Sequence, residues 1–234
     1  MSGQSTGSRM KTAVKLGGLA AVLVALTTAP FTNAVAAGDP PELAPNGEAA
    51  GALPPQGSWW IDSDHSFAYF GARHHVVGLV RGRFDKVSGT FTVSPDPAAC
   101  TIDVLIDAAS INTQVAERDQ DLRGPAYFDV KKFPTMIYQG RGIRRTSENS
   151  WTMDGSLTMH GVTKAVPLTF TFNGLFPDQK PGSPARSTFH ATAALKRADF
   201  GMGARDNLGE LGILTAPDVA IEIDVEANAG SPKK

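Results

Sequence analysis

Four segments in the C-terminal half of the chain alternate apolar and polar residues almost without interruption. A β-strand turns successive side chains to opposite faces, so a period of two gives each segment one apolar face and one polar face. Segments of this kind in series are typical of an antiparallel sheet that folds over on itself around an apolar interior. The apolar positions are Trp151, Met153, Leu157 and Met159, then Val166, Leu168, Phe170 and Phe172, then Phe189, Ala191, Ala193 and Leu195, and finally Val219, Ile221, Ile223 and Val225.

The same reasoning predicts eight strands within residues 58–228. Turn-forming runs such as Ser94-Pro95-Asp96-Pro97 separate several of them. We further expect a short helical turn over residues 73–80 and one or two helices over residues 110–133, which would cover one end of the sheet. Eight antiparallel strands are enough to close a barrel, although alternation alone does not separate a barrel from a two-sheet sandwich. The predicted strands span residues 59–71, 82–93, 100–107, 135–142, 151–159, 164–176, 187–197 and 218–227.

The N-terminal segment has the composition of an export signal. Three basic residues precede an apolar run over residues 16–30, and small residues follow at 34–37. This order is typical of a signal peptide, which we place at residues 1–37. The apolar run is too short and too broken for a comfortable bilayer span of roughly 20 residues, which leaves an uncleaved anchor as the alternative.

Two further segments flank the predicted domain. Pro, Gly and Ala dominate residues 38–57 without any periodicity, so this segment is predicted to be a flexible linker. Residues 229–234 are expected to form a loose tail. The sequence therefore predicts one folded domain over residues 58–228.

Composition narrows the class of protein. The chain is 41% hydrophobic and 19% charged, which supports a sizeable core and argues against disorder. Its formal charge is −1, and no basic stripe is interleaved with aromatic residues, so nucleic-acid binding is not expected. The single cysteine, Cys100, cannot form an internal disulfide and is predicted to be a small buried side chain. Membrane barrels also alternate, but the carboxylates of Glu222, Asp224 and Glu226 would be costly inside a narrow lumen, which favours an apolar interior.

Few residues carry a recognisable catalytic or metal-binding pattern. The five histidines lack the spacing of a zinc site, so no metal site is predicted. His65 stands close to Asp62 and Asp64, but no Gly-x-Ser-x-Gly motif accompanies it, so we interpret it as a hydrogen-bonded histidine at the barrel rim, with a Ser-His-Asp triad as the alternative. Arg118-Asp119 is expected either to pin the long loop by a local ion pair or to recognise the head group of a ligand.

Six groups of short motifs follow one another along the predicted domain. They are Trp60-Ile61-Asp62 with His65-Ser66, Arg81-Gly82-Arg83-Phe84 with Ser88-Gly89, Ser110-Ile111-Asn112-Thr113 with Arg118-Asp119 and Leu122, Phe128-Asp129 with Phe133-Pro134, the run from Gly155 to Lys164, and Arg197-Ala198-Asp199-Phe200-Gly201-Met202. Together, in this order, they resemble the YceI-like family of exported lipid-binding proteins over nearly the whole span of residues 58–227. Many family members carry a histidine where this chain has Asp121, and a negative charge there would disfavour a phosphate head group.

The resemblance implies an all-β fold, an eight-stranded antiparallel lipocalin-like β-barrel with short helices in the connecting loops. It also implies a long apolar pocket that holds a polyisoprenoid or a similar long-chain amphiphile, in the periplasm or outside the cell. No cofactor is expected apart from such a bound isoprenoid lipid or quinone. We predict that the ligand contacts residues on the apolar stripes together with two polar residues: Phe70, Phe84, Phe91, Ile102, Val104, Phe170, Phe172, Ile221, Ile223, His65 and Arg118.

Three functions are compatible with this reasoning. The first is a carrier or sequestering protein for a long-chain isoprenoid or fatty lipid, with transient contact to a membrane. The second is an enzyme acting on such a lipid through His65 or Arg118, whose product formation would disappear in His65→Ala. The third is a ligand-free interaction module of a membrane redox system, which native mass spectrometry of protein purified from its own host would separate from a carrier.

The export signal leads to a direct prediction. We expect the mature protein to begin between Ala36 and Gly38, because the small residues there follow the apolar run. N-terminal sequencing of the exported protein checks this. An intact Met1 recovered in a membrane fraction would contradict it and favour the anchor.

Overall fold

The computed structural model describes residues 53–75, 77–178, 180, 183–202 and 215–231. The predicted export signal, most of the predicted linker and the last three residues of the predicted tail lie outside these ranges. One α-helix, α1 (Ala116–Arg123), occurs in the described residues. Twelve strands occur there too: β1 (Gly57–Ile61), β2 (Phe67–His74), β3 (Gly78–Phe84), β4 (Val87–Val93), β5 (Thr101–Asp107), β6 (Ile111–Asn112), β7 (Thr135–Ser147), β8 (Ser150–Met159), β9 (Val162–Ala165), β10 (Leu168–Phe176), β11 (Arg186–Lys196) and β12 (Thr215–Ala229).

Eight of these strands close a barrel. They follow one another in the order β1-β4-β5-β7-β8-β10-β11-β12, and β12 pairs with β1 to complete the ring. All of the pairings are antiparallel. The predicted eight-stranded antiparallel barrel is therefore confirmed. β2 and β3 extend the sheet from the second edge of β12, and β6 and β9 are short additions to β3 and β8.

Two of the predicted strands are broken in the structure. Residues 59–71 form β1 and β2, separated by a polar turn at Asp62–Ser66, and residues 82–93 form β3 and β4, separated at Asp85 and Lys86. The expected helical turn over residues 73–80 is wrong, because β2 and β3 meet there in a tight hairpin. His75 adopts a φ of 49° in this turn, and His74 pairs with Gly78.

The ends of the domain extend slightly beyond the prediction. Gly57, the last residue of the predicted linker, pairs with Val93, and Ala229, the first residue of the predicted tail, pairs with Trp59. The Trp59 indole Nε1 also donates to the carbonyl oxygen of Pro55 at 3.2 Å. These backbone groups are held because the barrel continues its hydrogen-bond ladder through both termini of the domain.

A buried serine bridges the break between β1 and β2. Ser66 is fully buried, and its hydroxyl donates to the carbonyl oxygen of Glu226 at 3.1 Å and accepts from the Glu226 amide at 3.0 Å. The Asp62 amide donates to the same carbonyl oxygen at 2.9 Å. Since unpaired buried backbone groups are costly, the serine side chain substitutes for a strand residue at the one point where β12 passes from β2 to β1.

Most of the barrel interior is apolar. At the end covered by α1, one cluster includes Phe84, Met136 and Phe200, and the aromatic side chains of Tyr127 and Phe128 pack against it. At the other end the core is mostly aromatic. Each aromatic ring of this part of the core packs against at least one other, in a stacked, tilted or edge-on arrangement. The rings are those of Trp59, Phe91, Trp151, Phe170, Phe172 and Phe189.

The two fully buried serines of the barrel differ in a way that tests the role of Ser66. Ser66→Ala should lower the free energy of unfolding by about 1–3 kcal/mol, because it leaves the Glu226 amide without the serine hydroxyl as acceptor. Ser187 is equally buried, but its hydroxyl has no hydrogen-bond partner among the described residues. Ser187→Ala is therefore the matched control and should be neutral or stabilising. Chemical denaturation of both variants measures the difference, and equal effects would contradict the bridging role.

Candidate ligand-binding site

An apolar cavity of about 300 Å³ lies inside the barrel. It is lined by both ends of the core, from Phe84 and Met136 on the α1 side to Cys100 and Ile143 on the aromatic side. A well-packed core contains few voids larger than a water molecule, so a cavity of this size is not a packing defect. It falls at the lower end of the range that protein ligand pockets occupy.

Most of the predicted apolar contacts line this cavity. Phe172 does not. It is 2% exposed, belongs to the same buried cluster as Trp151 and packs its ring against that of Phe189. The predicted residues that do line the cavity are Phe70, Phe84, Phe91, Ile102, Val104, Phe170, Ile221 and Ile223.

Several of these inner residues are only half-buried. Phe70, Phe170, Ile221 and Ile223 point to the apolar side of their strands, yet none of them is fully shielded. In a filled barrel the inward side chains of central strands would be sealed by one another. Their remaining exposed surface faces the cavity, and it is this surface that a ligand would cover.

Two glycines shape the wall between β7 and β8. Gly140 and Gly155 are cross-strand partners. A Cβ at Gly155 would lie 2.1 Å from the Tyr138 hydroxyl, and a Cβ at Gly140 would lie 2.4 Å from the Met153 sulfur. The glycines therefore let the larger side chains lie along the sheet, where the Tyr138 hydroxyl donates to the carbonyl oxygen of Val166 at 3.1 Å. Burial raises the pKa of Tyr138, so this hydroxyl stays protonated and serves as a donor.

Methionine is the residue type that sequence reasoning overlooked. Four of the six methionines line the cavity, and the other two are Met1 and Met10. An unbranched thioether adapts its shape to irregular apolar surfaces better than a branched side chain does. The signal was present in the alternation, since three of these residues stand on predicted apolar faces or beside them. The lining methionines are Met136, Met153, Met159 and Met202.

One end of the cavity is polar. His74, Arg197 and Thr215 line it there, and His74 is exposed to solvent. We call these three residues the mouth. Of the described residues that line the cavity, Arg197 alone carries a permanent charge, and none is acidic. Its Nη2 atom donates to the carbonyl oxygens of Thr215 and Ala216, both at 2.9 Å, so the guanidinium is held in place at the start of β12.

Arg118 lies outside the cavity and holds a loop together. Its Nε donates to the Thr113 hydroxyl and its Nη2 to the Thr113 carbonyl oxygen, both at 2.8 Å. The buried carboxylate of Asp119 accepts from the amide and the hydroxyl of the same threonine. Arg118 and Asp121 line a second depression, which shares Leu122 and Tyr127 with the wall of the main cavity. The local contacts that pin the loop account for this arginine, although they run through Thr113 and not through an Arg118–Asp119 ion pair.

His65 also lies outside the cavity. Its side chain is 56% exposed, and Nδ1 is 3.1 Å from an Asp62 carboxylate oxygen. Asp62, His65 and Glu226 bring their ligand atoms within 4.8 Å of one another, so they are the residues among those described that could hold a metal ion. However, Glu226 is paired with Arg186 at 2.7 Å, and these mutual contacts account for the cluster without an ion.

The fold and its interior define a class of protein: a lipocalin-like antiparallel barrel with a long apolar cavity. The sequence profile of the YceI-like domain matches residues 59–227, and the chain belongs to this family. An UPF0312 protein of Pseudomonas putida strain GB-1 is 35% identical over 142 residues, which cover 60% of this chain and 73% of the relative. None of the helices in the described part of the chain is long and apolar enough to cross a membrane.

Two solved structures have the same fold. The YceI protein of Campylobacter jejuni superposes with a TM-score of 0.58 at 27% identity, covering 68% of this chain and 90% of its own. A domain of Saccharophagus degradans, described as a polyisoprenoid-binding domain, superposes with a TM-score of 0.56 at 18% identity, covering 74% and 98%. The resemblance inferred from the six groups of motifs is thereby confirmed.

The contact between His65 and Asp62 predicts a pH dependence. The hydrogen bond to Asp62, assisted by the charges of Asp62 and Glu226, raises the pKa of His65 above its ordinary value of 6.5. Burial opposes ionisation of Asp62, but hydrogen bonds from the Asp64 amide and from His65 bring its pKa below 3.8. The contribution of the pair to stability is therefore fully present between pH 3.8 and 6.5. It is lost as the pH rises through the raised histidine pKa or falls through the lowered aspartate pKa.

We expect an NMR titration of His65 to report this raised pKa, and Asp62→Asn to return it towards 6.5. Asp64→Asn is the matched control, because the hydrogen bond from Asp64 to the Asp62 carboxylate is donated by the backbone amide and is kept in this variant. An unchanged His65 titration in Asp62→Asn would contradict the contact.

Proposed function

We propose that the protein is an exported carrier or sequestering protein that binds a long-chain isoprenoid or a similar amphiphilic lipid inside the barrel. The observation that carries this proposal is the continuous apolar cavity, lined by inward-facing strand residues from both ends of the core. Burying a hydrocarbon chain contributes about 0.8 kcal/mol for each CH₂ group, so a long chain can bind tightly without any charged contact. The barrel supplies this surface and leaves it incompletely covered.

The mouth supports a ligand with one polar end. An amphiphile whose chain fills the apolar cavity would leave its head group beside His74, Arg197 and Thr215. The fixed guanidinium of Arg197 favours a head group that accepts hydrogen bonds or carries negative charge. Asp121, the position at which many family members carry a histidine, is not among the residues that line the cavity, but it lines an adjoining depression that shares Leu122 and Tyr127 with the cavity wall.

The chemistry of the lining supports a carrier over an enzyme. Among the described lining residues there is no carboxylate, and the single thiol, Cys100, is buried against the carbonyl oxygen of Ser94. The two residues considered as reactive groups, His65 and Arg118, are not among the residues that line the cavity. General acid–base chemistry needs such groups within hydrogen-bond reach of the substrate.

Export and ligand class rest on separate support. The basic, apolar and small-residue order of residues 1–37 supports a periplasmic or secreted location. One barrel of the same fold, from Saccharophagus degradans, is described as polyisoprenoid-binding, which makes isoprenoids the first ligands to test. Identifying the lipid that co-purifies with protein from its own host would define the ligand.

Two neighbouring phenylalanines on β10 test whether the cavity is the binding site. Phe170 is half-buried and lines the cavity, whereas Phe172 is buried and is not among the lining residues. Phe172→Ala should cost about 3–5 kcal/mol of stability, as a large core deletion does, and should leave the preferred chain length unchanged. Phe170→Ala should cost less, because part of its surface is already free, and should favour longer chains.

The measurement is thermal stability together with binding of a polyprenol series of increasing length. Phe170→Trp completes the set, because it should exclude the longer members while the protein stays folded. If no member of the series binds and Phe170→Ala shows the full core penalty, the carrier proposal fails, and an interaction module becomes the better account.

A further inference from the structure

The hairpin between β2 and β3 exposes apolar side chains beside the mouth of the cavity. Val77 is 81% exposed and Leu79 is 47% exposed. Large apolar side chains exposed together on a small surface often mark an interaction site. Val76, the residue before Val77, lies outside the described residues.

The two faces of this hairpin have different roles. Its inner face contributes Ala72, His74 and Val80 to the cavity wall. Its outer face carries Leu79, whose cross-strand partner is Arg73, and Arg81, which pairs with Gly71. A partner that touched the outer face and the tip would therefore lie within one strand's thickness of the ligand-binding cavity.

The hairpin is positively charged in a chain with a slight net negative charge. Residues 67–84 contain three arginines and two histidines and no acidic residue, whereas the whole chain has a formal charge of −1. Arg83 is neutralised by Asp85 at 2.5 Å. Arg73 and Arg81 are exposed, and neither forms an ion pair with a described residue. Exposed apolar residues flanked by basic residues match the chemistry of an anionic bilayer surface, which attracts cations and accepts apolar side chains.

We propose that the β2–β3 hairpin docks the barrel on an anionic lipid bilayer, with Val77 and Leu79 entering the headgroup region and Arg73 and Arg81 contacting lipid phosphates. Docking there places the mouth at the membrane surface. An apolar ligand then passes between bilayer and cavity without crossing a long path through water, which would cost the burial energy of its chain. This inference deepens the proposed carrier function, but docking itself does not require a bound ligand.

The test uses the full chain with an environment-sensitive fluorophore on one introduced cysteine. Cys100→Ser removes the single native thiol, and the label is placed through Val77→Cys or, as the matched control, Phe176→Cys. Val77 and Phe176 are both exposed apolar residues, and they lie near opposite ends of β12. The probes are vesicles of phosphatidylcholine alone and of phosphatidylcholine mixed with phosphatidylglycerol.

The label at residue 77 should shift to the blue and brighten several-fold on the anionic vesicles, and the label at residue 176 should not. Each basic residue near an anionic surface contributes about a factor of five in affinity, so Arg73→Gln with Arg81→Gln should weaken the vesicle binding reported at residue 77 about 30-fold. Arg141→Gln with Lys180→Gln removes the same charge from exposed positions away from the hairpin and should leave this binding unchanged.

Three results would overturn the proposal. One is no response at residue 77 to either kind of vesicle. Another is an equal response at residues 77 and 176, as expected if another part of the chain, such as the N-terminal segment, brings the protein to the bilayer. The third is a response without vesicles that grows with protein concentration, which would show a second copy pairing with the edge of β3. Since polyprenol is absent from this experiment, its failure is distinguishable from failure of the carrier proposal.

Discussion

The closed barrel depends on β12 being hydrogen-bonded along both of its edges. β11 pairs with one edge through an unbroken register from Arg186 to Lys196, whereas β1 and β2 share the other edge. Where β12 changes partner from β2 to β1, the Ser66 hydroxyl forms hydrogen bonds with both the amide and the carbonyl oxygen of Glu226, so neither group is left unpaired. Because the backbone of β12 is hydrogen-bonded on both sides, the sheet closes into a barrel. A closed barrel encloses an apolar interior and leaves none of its eight strands as an unpaired edge.

The inner surface of the barrel could be predicted from the sequence because it depends on a local rule. Side-chain direction alternates along every strand, so the apolar residues of β10 and β12 predict much of the cavity wall, although Phe172 does not line it. The breaks at Asp62–Ser66 and at Asp85 could not be predicted in this way. They depend on which strand lies opposite, and only the register with β12 and β6 shows where pairing changes. The β2–β3 hairpin was missed for a related reason, since its turn is made by a histidine with a positive φ and not by a typical turn sequence.

The polar residues were harder to place than the apolar ones. His65 and Arg118 have carboxylates close to them in sequence, but neither residue lines the cavity. His65 contacts Asp62 in a turn, and Arg118 donates to Thr113 and so holds a loop. Arg197 donates to two backbone carbonyl oxygens at the start of β12 and also lines the cavity. Phe172 follows the same alternation as Phe170, yet one is sealed and the other is not. Both rings contact Phe189, so the difference lies in burial, which alternation does not predict: Phe172 is 2% exposed, whereas Phe170 is half-buried and lines the cavity.

The four methionines in the cavity wall make the interior adaptable in shape and also sensitive to oxidation. Thioethers accept many ligand shapes because they rotate freely and are polarisable, so the wall can follow a branched or a straight chain equally well. The same sulfur atoms are open to oxidants that reach the barrel. Each sulfoxide formed at Met136, Met153, Met159 or Met202 would put a strong dipole in the wall of the apolar cavity. Oxidative damage would therefore reduce the affinity of the barrel for the proposed lipid without requiring any change in its fold.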